Sequence, residues 1–155
     1  MRERLMQATK DAMKSQDKAR LSALRLISAA IKDRDIAARV DEKGQSTGRD
    51  KATDPELLAL LQKMIKQRRD SITAYDQAGR KELADQERAE IGVIEEFLPK
   101  QMGEAEMAAA VAAAVKEVGA TSVKDMGKVM GALKARYTGQ MDFGKAGALV
   151  KAQLS

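Results

Sequence analysis

Residues 54–79, DPELLALLQKMIKQRRDSITAYDQAG, carry the pattern that decides the fold class. Asp54 is the predicted N-cap of a helix, Pro55 occupies its first position, and Gly79 marks its end. Between these residues, apolar side chains recur every three or four positions, which is the period of an amphipathic helix. The predicted buried stripe contains Leu57, Leu58, Leu61, Met64, Ile65, Arg68, Ile72 and Tyr75.

The same period recurs on both sides of this segment, and no stretch predicts a strand. Helices are expected after residue 1, after the N-cap Asp17, and over residues 80–98, where Pro99 ends the last of them. Residues 41–53 are polar and aperiodic, which is typical of a loop. The fold prediction is therefore all-α, beginning with an N-terminal domain of antiparallel helices over residues 1–98.

Residues 99–155 predict a small three-helix tail domain, joined to the first domain by a linker at about 99–104. Gly119 is a candidate C-cap, Ser122 and Asp125 form a candidate capping box, and Asp142 is a candidate N-cap. Across the chain, the predicted core positions further include Leu5, Ala12, Met13, Leu24, Ile27, Leu83, Ile94, Met107, Val111, Val129, Leu133, Leu149 and Val150.

Composition excludes several kinds of chemistry. The chain has no Cys and no His, so thiolate catalysis, Ser–His–Asp triads and imidazole–thiolate zinc sites cannot form within it. The carboxylate pairs Glu95/Glu96 and Asp33/Asp35 are one and two residues apart, and side chains at these spacings on a helix do not face one another. We therefore expect no autonomous enzyme, no metal and no cofactor.

The location predicted from the sequence is the cytoplasm. No apolar run reaches the roughly 20 residues that a membrane-spanning helix needs, and the first residues lack a signal-type apolar core. The absence of Cys agrees with this expectation.

The positive charge is concentrated at the end of the chain. The net charge is +5, and the segment from Ser122 onward contains six Lys/Arg but only two acidic residues, Asp125 and Asp142. Such a basic segment suits a polyanion such as nucleic acid, although a solvated surface is the ordinary alternative. Gly127 and Gly131 stand four apart in a predicted helix and have two explanations. They allow close helix packing, or they let a phosphodiester approach the backbone.

Residues 125–154, DMGKVMGALKARYTGQMDFGKAGALVKAQL, resemble the tail domain shared by YqeY proteins and the GatB subunit of the tRNA-dependent amidotransferase. Three further segments resemble free-standing YqeY-like proteins: RLSALRLISAAIK (20–32), LLQKMIKQRRDSITAYDQAGR (60–80) and EIGVIEEFLPKQM (90–102). The resemblance covers almost the whole chain. It implies a helical N-terminal domain followed by a three-helix tail.

The resemblance also implies a function, because related tail domains help to hold tRNA. We expect a tRNA-binding or translation-associated accessory protein. Many relatives carry a Val-Asn pair where this chain has Ala146 and Gly147. The implied nucleic-acid-binding residues are Lys124, Gly127, Lys128, Gly131, Lys134, Arg136, Lys145 and Lys151, with Gly139 and Asp142 in the turn between the helices.

Two alternatives stay open at this point. The first is a protein-interaction module that docks onto an aminoacyl-tRNA synthetase or amidotransferase through Lys66, Arg68 and Arg69. The second is a carbon–nitrogen ligase activity with glutamine as amido donor, inherited from the family. The catalytic domain that this activity uses in the amidotransferase is not part of these 155 residues.

Overall fold

A computed structural model describes all 155 residues, and it contains seven α-helices and no strand. The only β-type pairing is an isolated bridge between Val40 and Ser46 in the loop before the third helix. The all-α prediction is confirmed. The helices are α1 (Arg2–Lys14), α2 (Lys18–Ala38), α3 (Asp54–Gln77), α4 (Lys81–Glu95), α5 (Glu104–Val118), α6 (Met126–Tyr137) and α7 (Phe143–Leu154), with a 3₁₀ turn at Val123–Asp125 before α6.

The chain divides into two compact units, which we call the first unit (Met1–Leu98) and the second unit (Pro99–Ser155). Each has its own apolar core, and Leu, Ile, Met, Val and Ala fill both. Fully buried side chains in the first core include Leu24, Ile27, Leu57, Leu61 and Ile94. Those in the second core include Val111, Val129, Leu133, Met141 and Val150.

The start of α3 differs from the prediction by one residue. Thr53, and not Asp54, is the N-cap: its hydroxyl accepts a hydrogen bond from the Glu56 N–H, and the Glu56 carboxylate accepts one from the Thr53 N–H. This reciprocal pair satisfies two amides that the helix leaves without partners. Asp54 instead lies in the first turn, where its negative charge is favourable next to the helix dipole.

The ends of the tail helices follow the sequence signals in two cases out of three. Gly119 ends α5 with a left-handed φ of 66°, and Asp142 caps α7 by accepting hydrogen bonds from Gly144 and Lys145. Both predictions are confirmed. The capping box at Ser122 is wrong, because the Ser122 hydroxyl makes no cap hydrogen bond. The Asp125 carboxylate instead accepts the N–H of Thr121 at 3.0 Å, which lowers the pKa of Asp125.

Three predicted core side chains lie at the surface. Met13 is 49% exposed, Leu83 is 38% exposed and Leu149 is 36% exposed. In α4 the residue that packs inward next to Leu83 is Ala84, which is completely buried. A methyl group at that position lets two helices approach more closely than an isobutyl group would, so the smaller side chain takes the inner place.

A hydrogen-bonded ion pair joins α1, α2 and the residues before α3. The Arg2 guanidinium donates to both carboxylate oxygens of Asp35 at 2.7 Å and to the Ala52 carbonyl at 3.0 Å. Asp35 also accepts the Ala52 N–H at 2.8 Å. The hydrogen bond from Arg2 is the largest cause that lowers the pKa of Asp35 to about 2.

This pair predicts a stability loss in acid. Because the folded-state pKa of Asp35 is lowered, its stabilisation is present above about pH 4 and is lost as the pH falls towards 2. We expect Asp35→Asn to lower the free energy of unfolding by about 1 kcal/mol at pH 6, since solvent screens part of the interaction. Urea unfolding of both proteins between pH 6 and pH 2 measures the difference, which should shrink with acidification. A difference that is independent of pH would contradict the assignment.

Candidate nucleic-acid interface

The α6 helix buries one side and exposes the other. Val129 and Leu133 face the second core and are completely buried, while Gly127 and Gly131 are exposed. Since successive helical residues are rotated by about 100°, the two glycines lie next to each other on the outward side. The backbone of α6 is therefore bare where it faces solvent.

The two glycines do not serve helix packing. A Cβ atom added at Gly127 or at Gly131 would meet no other atom within 4 Å, and neither residue has a positive φ. The close-packing explanation from the sequence is therefore wrong for both positions. The other explanation, in which a phosphodiester chain approaches the α6 backbone, is compatible with this open space.

Three lysines surround the bare backbone. By the same rotation, Lys128 lies on one side of the glycines and Lys134 on the other, and Lys124 lies in the 3₁₀ turn that precedes the helix. All three side chains are exposed. None of the three forms a salt bridge within the protein.

Both acidic residues of this segment are engaged by backbone amides. Asp125 accepts the N–H of Thr121, and Asp142 accepts two N–H groups at the start of α7. These carboxylates hold local structure, and neither forms a salt bridge with a lysine. The lysine ammonium groups thus keep a net positive field on this side of α6.

Arg136 departs from the other predicted contacts. Its guanidinium forms an ion pair with Glu117 of α5, and this hydrogen bond raises the pKa of Arg136. Glu117 is 19 residues away in sequence, so no local pattern indicated the pairing. Of the predicted cations, Arg136 is therefore partly neutralised by an ion pair, whereas the lysines form no salt bridge.

The last helix contributes two more exposed lysines. Lys145 and Lys151 are both exposed and form no salt bridge, while Ala146 and Val150 of the same helix are completely buried. A Cβ added at Gly147 would lie 3.6 Å from the Met126 Cε. The Ala146–Gly147 pair thus lies on the packed side of α7.

The second surface predicted from the sequence is only partly available. Lys66 and Arg69 are exposed, but the Arg68 side chain is 15% exposed and donates to the Glu90 carboxylate at 2.9 Å. Glu87 lies 3.8 Å from the same guanidinium, and burial, followed by the neighbouring Glu90, raises the pKa of Glu87. Arg68 therefore ties α3 to α4 inside the first unit.

No group of three acidic, His or Cys residues lies together in a way that could hold a metal ion. No helix combines the length and the hydropathy that crossing a membrane requires.

Two comparisons relate the chain to known proteins. The family model described as Yqey-like protein matches residues 2–154. The chain is also 31% identical over 138 residues to "Altered inheritance of mitochondria protein 41, mitochondrial" from Pyrenophora tritici-repentis. That alignment covers 86% of this chain and 71% of the relative.

Proposed function

Since the chain belongs to the Yqey-like protein family, we propose that it is a tRNA-binding accessory protein of translation. One observation carries the proposal: Lys124, Lys128 and Lys134 stand unpaired around a strip of α6 whose backbone is bare. Lysine ammonium groups bind phosphates as point charges, and a glycine backbone lets a sugar–phosphate chain come close.

The proposed contact is with the phosphates and shape of a folded tRNA. The chain has only four aromatic residues, namely two Tyr and two Phe, and sequence-specific reading of RNA usually stacks splayed bases on aromatic rings. Phosphate contacts need no rings and give binding with little sequence preference. Lys145 and Lys151 on α7 supply further cations to the same unit.

The proposal assigns no chemical step to this chain. Its role is to hold a tRNA, and a synthetase or amidotransferase that uses the same tRNA is the implied protein partner. The function requires a compartment that contains tRNA, and the cytoplasmic location stays a prediction.

The test is a tRNA titration with the full chain at low and at higher salt. We expect Lys124→Glu, Lys128→Glu and Lys134→Glu together to lower the affinity at least tenfold, which is about 1.4 kcal/mol. If three phosphates are contacted, a plot of log K against log salt concentration should have a slope of about −2 to −3, and the slope for the triple variant should lie closer to zero.

The matched control reverses three exposed lysines of the first unit: Lys43→Glu, Lys63→Glu and Lys81→Glu. Both triple variants change the net charge equally, so the comparison separates a local site from a general effect of charge. Circular dichroism checks that each variant stays helical. Equal losses of affinity in the two variants would contradict the site, and no measurable tRNA binding by the unmodified chain would contradict the function.

A further inference from the structure

The first unit has an open groove of about 540 Å³ between α1 and α2. None of its residues belongs to the candidate nucleic-acid interface. Leu5 and Ile31 form its floor and are buried, whereas Met6 and Met13 stand at its edge and are 60% and 49% exposed. Exposed apolar side chains gathered along a groove mark a surface that another molecule covers.

The apolar groups are spaced for a helical partner. Met6 and Met13 are two turns apart on α1, a rise of about 10 Å, and the same rise separates apolar residues i and i+7 on a second helix. Between them, the Thr9 hydroxyl donates to the Leu5 carbonyl at 2.8 Å, so this hydroxyl already has a hydrogen-bond partner. Methionine side chains are flexible and adapt to such a partner.

The charge of the groove indicates the charge that a partner should carry. Four Lys/Arg and one Asp line it, and the single carboxylate, Asp35, is already paired with Arg2 through both of its oxygens. The other three cations, Lys10, Lys32 and Lys51, form no salt bridge. The groove therefore presents a surplus of three positive charges around an apolar centre.

We propose that this groove binds an acidic amphipathic helix of a partner protein. The apolar side of that helix covers Met6 and Met13, and its flanking Asp or Glu residues face Lys10, Lys32 and Lys51. A planar bilayer surface fits a concave groove poorly, and no aromatic ring lines the groove to stack RNA bases. A protein helix satisfies both the shape and the charge.

Two synthetic peptides of about 18 residues, roughly five helical turns, provide the probe. Both carry Leu at the i, i+3, i+4 and i+7 positions; one has Glu at all other positions and the second has Lys there. Binding to the full chain is measured by fluorescence polarisation, and its place by NMR of ¹³C-labelled methionine methyl groups. We expect the Glu peptide to bind at least tenfold more tightly than the Lys peptide and to shift the Met6 and Met13 signals.

Substitutions in the groove test where the Glu peptide binds. Met6→Glu with Met13→Glu should lower affinity for the Glu peptide at least tenfold, whereas Val123→Glu, at a position 44% exposed in the second unit, should not. Lys10→Glu with Lys32→Glu should reverse the preference between the peptides. All four changed groove residues are at least partly in solvent, so the fold should survive, which circular dichroism checks.

Several results would overturn the proposal. These are equal affinity for both peptides, binding of neither, or methyl shifts confined to methionines other than Met6 and Met13. Binding to vesicles of phosphatidylcholine and phosphatidylserine without binding to the Glu peptide would assign the groove to a membrane instead. Self-association that Met6→Glu and Met13→Glu abolish would assign it to a second copy of this chain.

Discussion

Replacing Leu133 by Ala is expected to lower the free energy of unfolding of the second unit by about 2–5 kcal/mol. Leu133 is completely buried and packs in the core that holds Val111, Val129 and Val150. A unit of this size has a stability of only roughly 5 kcal/mol, so a loss at the upper end of this range would leave much of it unfolded at 25 °C. The first core contains none of these residues, and we expect it to stay folded.

Thermal unfolding followed by the NMR signals of Tyr75 and Tyr137 separates the two units, because each contains one of these rings. The matched control is Leu149→Ala, the same substitution in the same unit at a side chain 36% exposed, which should cost well under half as much. Equal costs for the two variants would contradict the burial of Leu133. Simultaneous loss of the Tyr75 signal would contradict separate unfolding.

Replacing both Gly127 and Gly131 by Ala is expected to stabilise the second unit by about 1–2 kcal/mol while weakening tRNA binding. Each Ala removes a helix penalty of up to about 1 kcal/mol, and its methyl group meets open space. The same methyl groups stand between an approaching phosphate chain and the α6 backbone. Urea unfolding measures the stability, and the tRNA titration measures the affinity.

The reciprocal control is Ala135→Gly, on the same exposed side of α6, which should destabilise by about 1 kcal/mol. No gain in stability from the double Ala variant would mean that the glycines do make packing contacts. A gain in stability with unchanged tRNA affinity would mean that the open backbone takes no part in binding.

Local sequence patterns account for most of the helices. The three-and-four spacing of apolar residues predicted the α3 helix and its buried residues Leu57 and Leu61, and Gly119 and Asp142 marked helix ends correctly. Two of the errors involve neighbouring residues: Thr53, rather than Asp54, caps α3, and Leu83 is exposed beside the buried Ala84. At the start of α3, the reciprocal hydrogen bonds between Thr53 and Glu56 set the cap; in α4, the closeness of the facing helix decides which side chain fits inside, and periodicity does not report that distance.

The candidate interface was only partly visible in the sequence. The accumulation of lysines after Ser122 is a property of composition and could be counted directly. Long-range partners changed the interpretation of two predicted contact residues: Arg136 of the candidate interface is paired with Glu117, and Arg68 of the alternative protein-binding surface is paired with Glu90. The α1–α2 groove has no linear signature, since its lining comes from two helices and the loop before a third.

The sequence by itself determined the all-α class, the excess of positive charge after Ser122 and the absence of imidazole and thiol chemistry, because these depend only on residue type and spacing. Only the tertiary structure decided that Gly127 and Gly131 do not pack against another helix. Whether a glycine packs or lies open depends on which other helix, if any, lies opposite it, and here none does. Tertiary structure likewise decided which arginines form ion pairs. An ion pair requires the two groups to lie close in space, and the partner carboxylates here are far away in sequence.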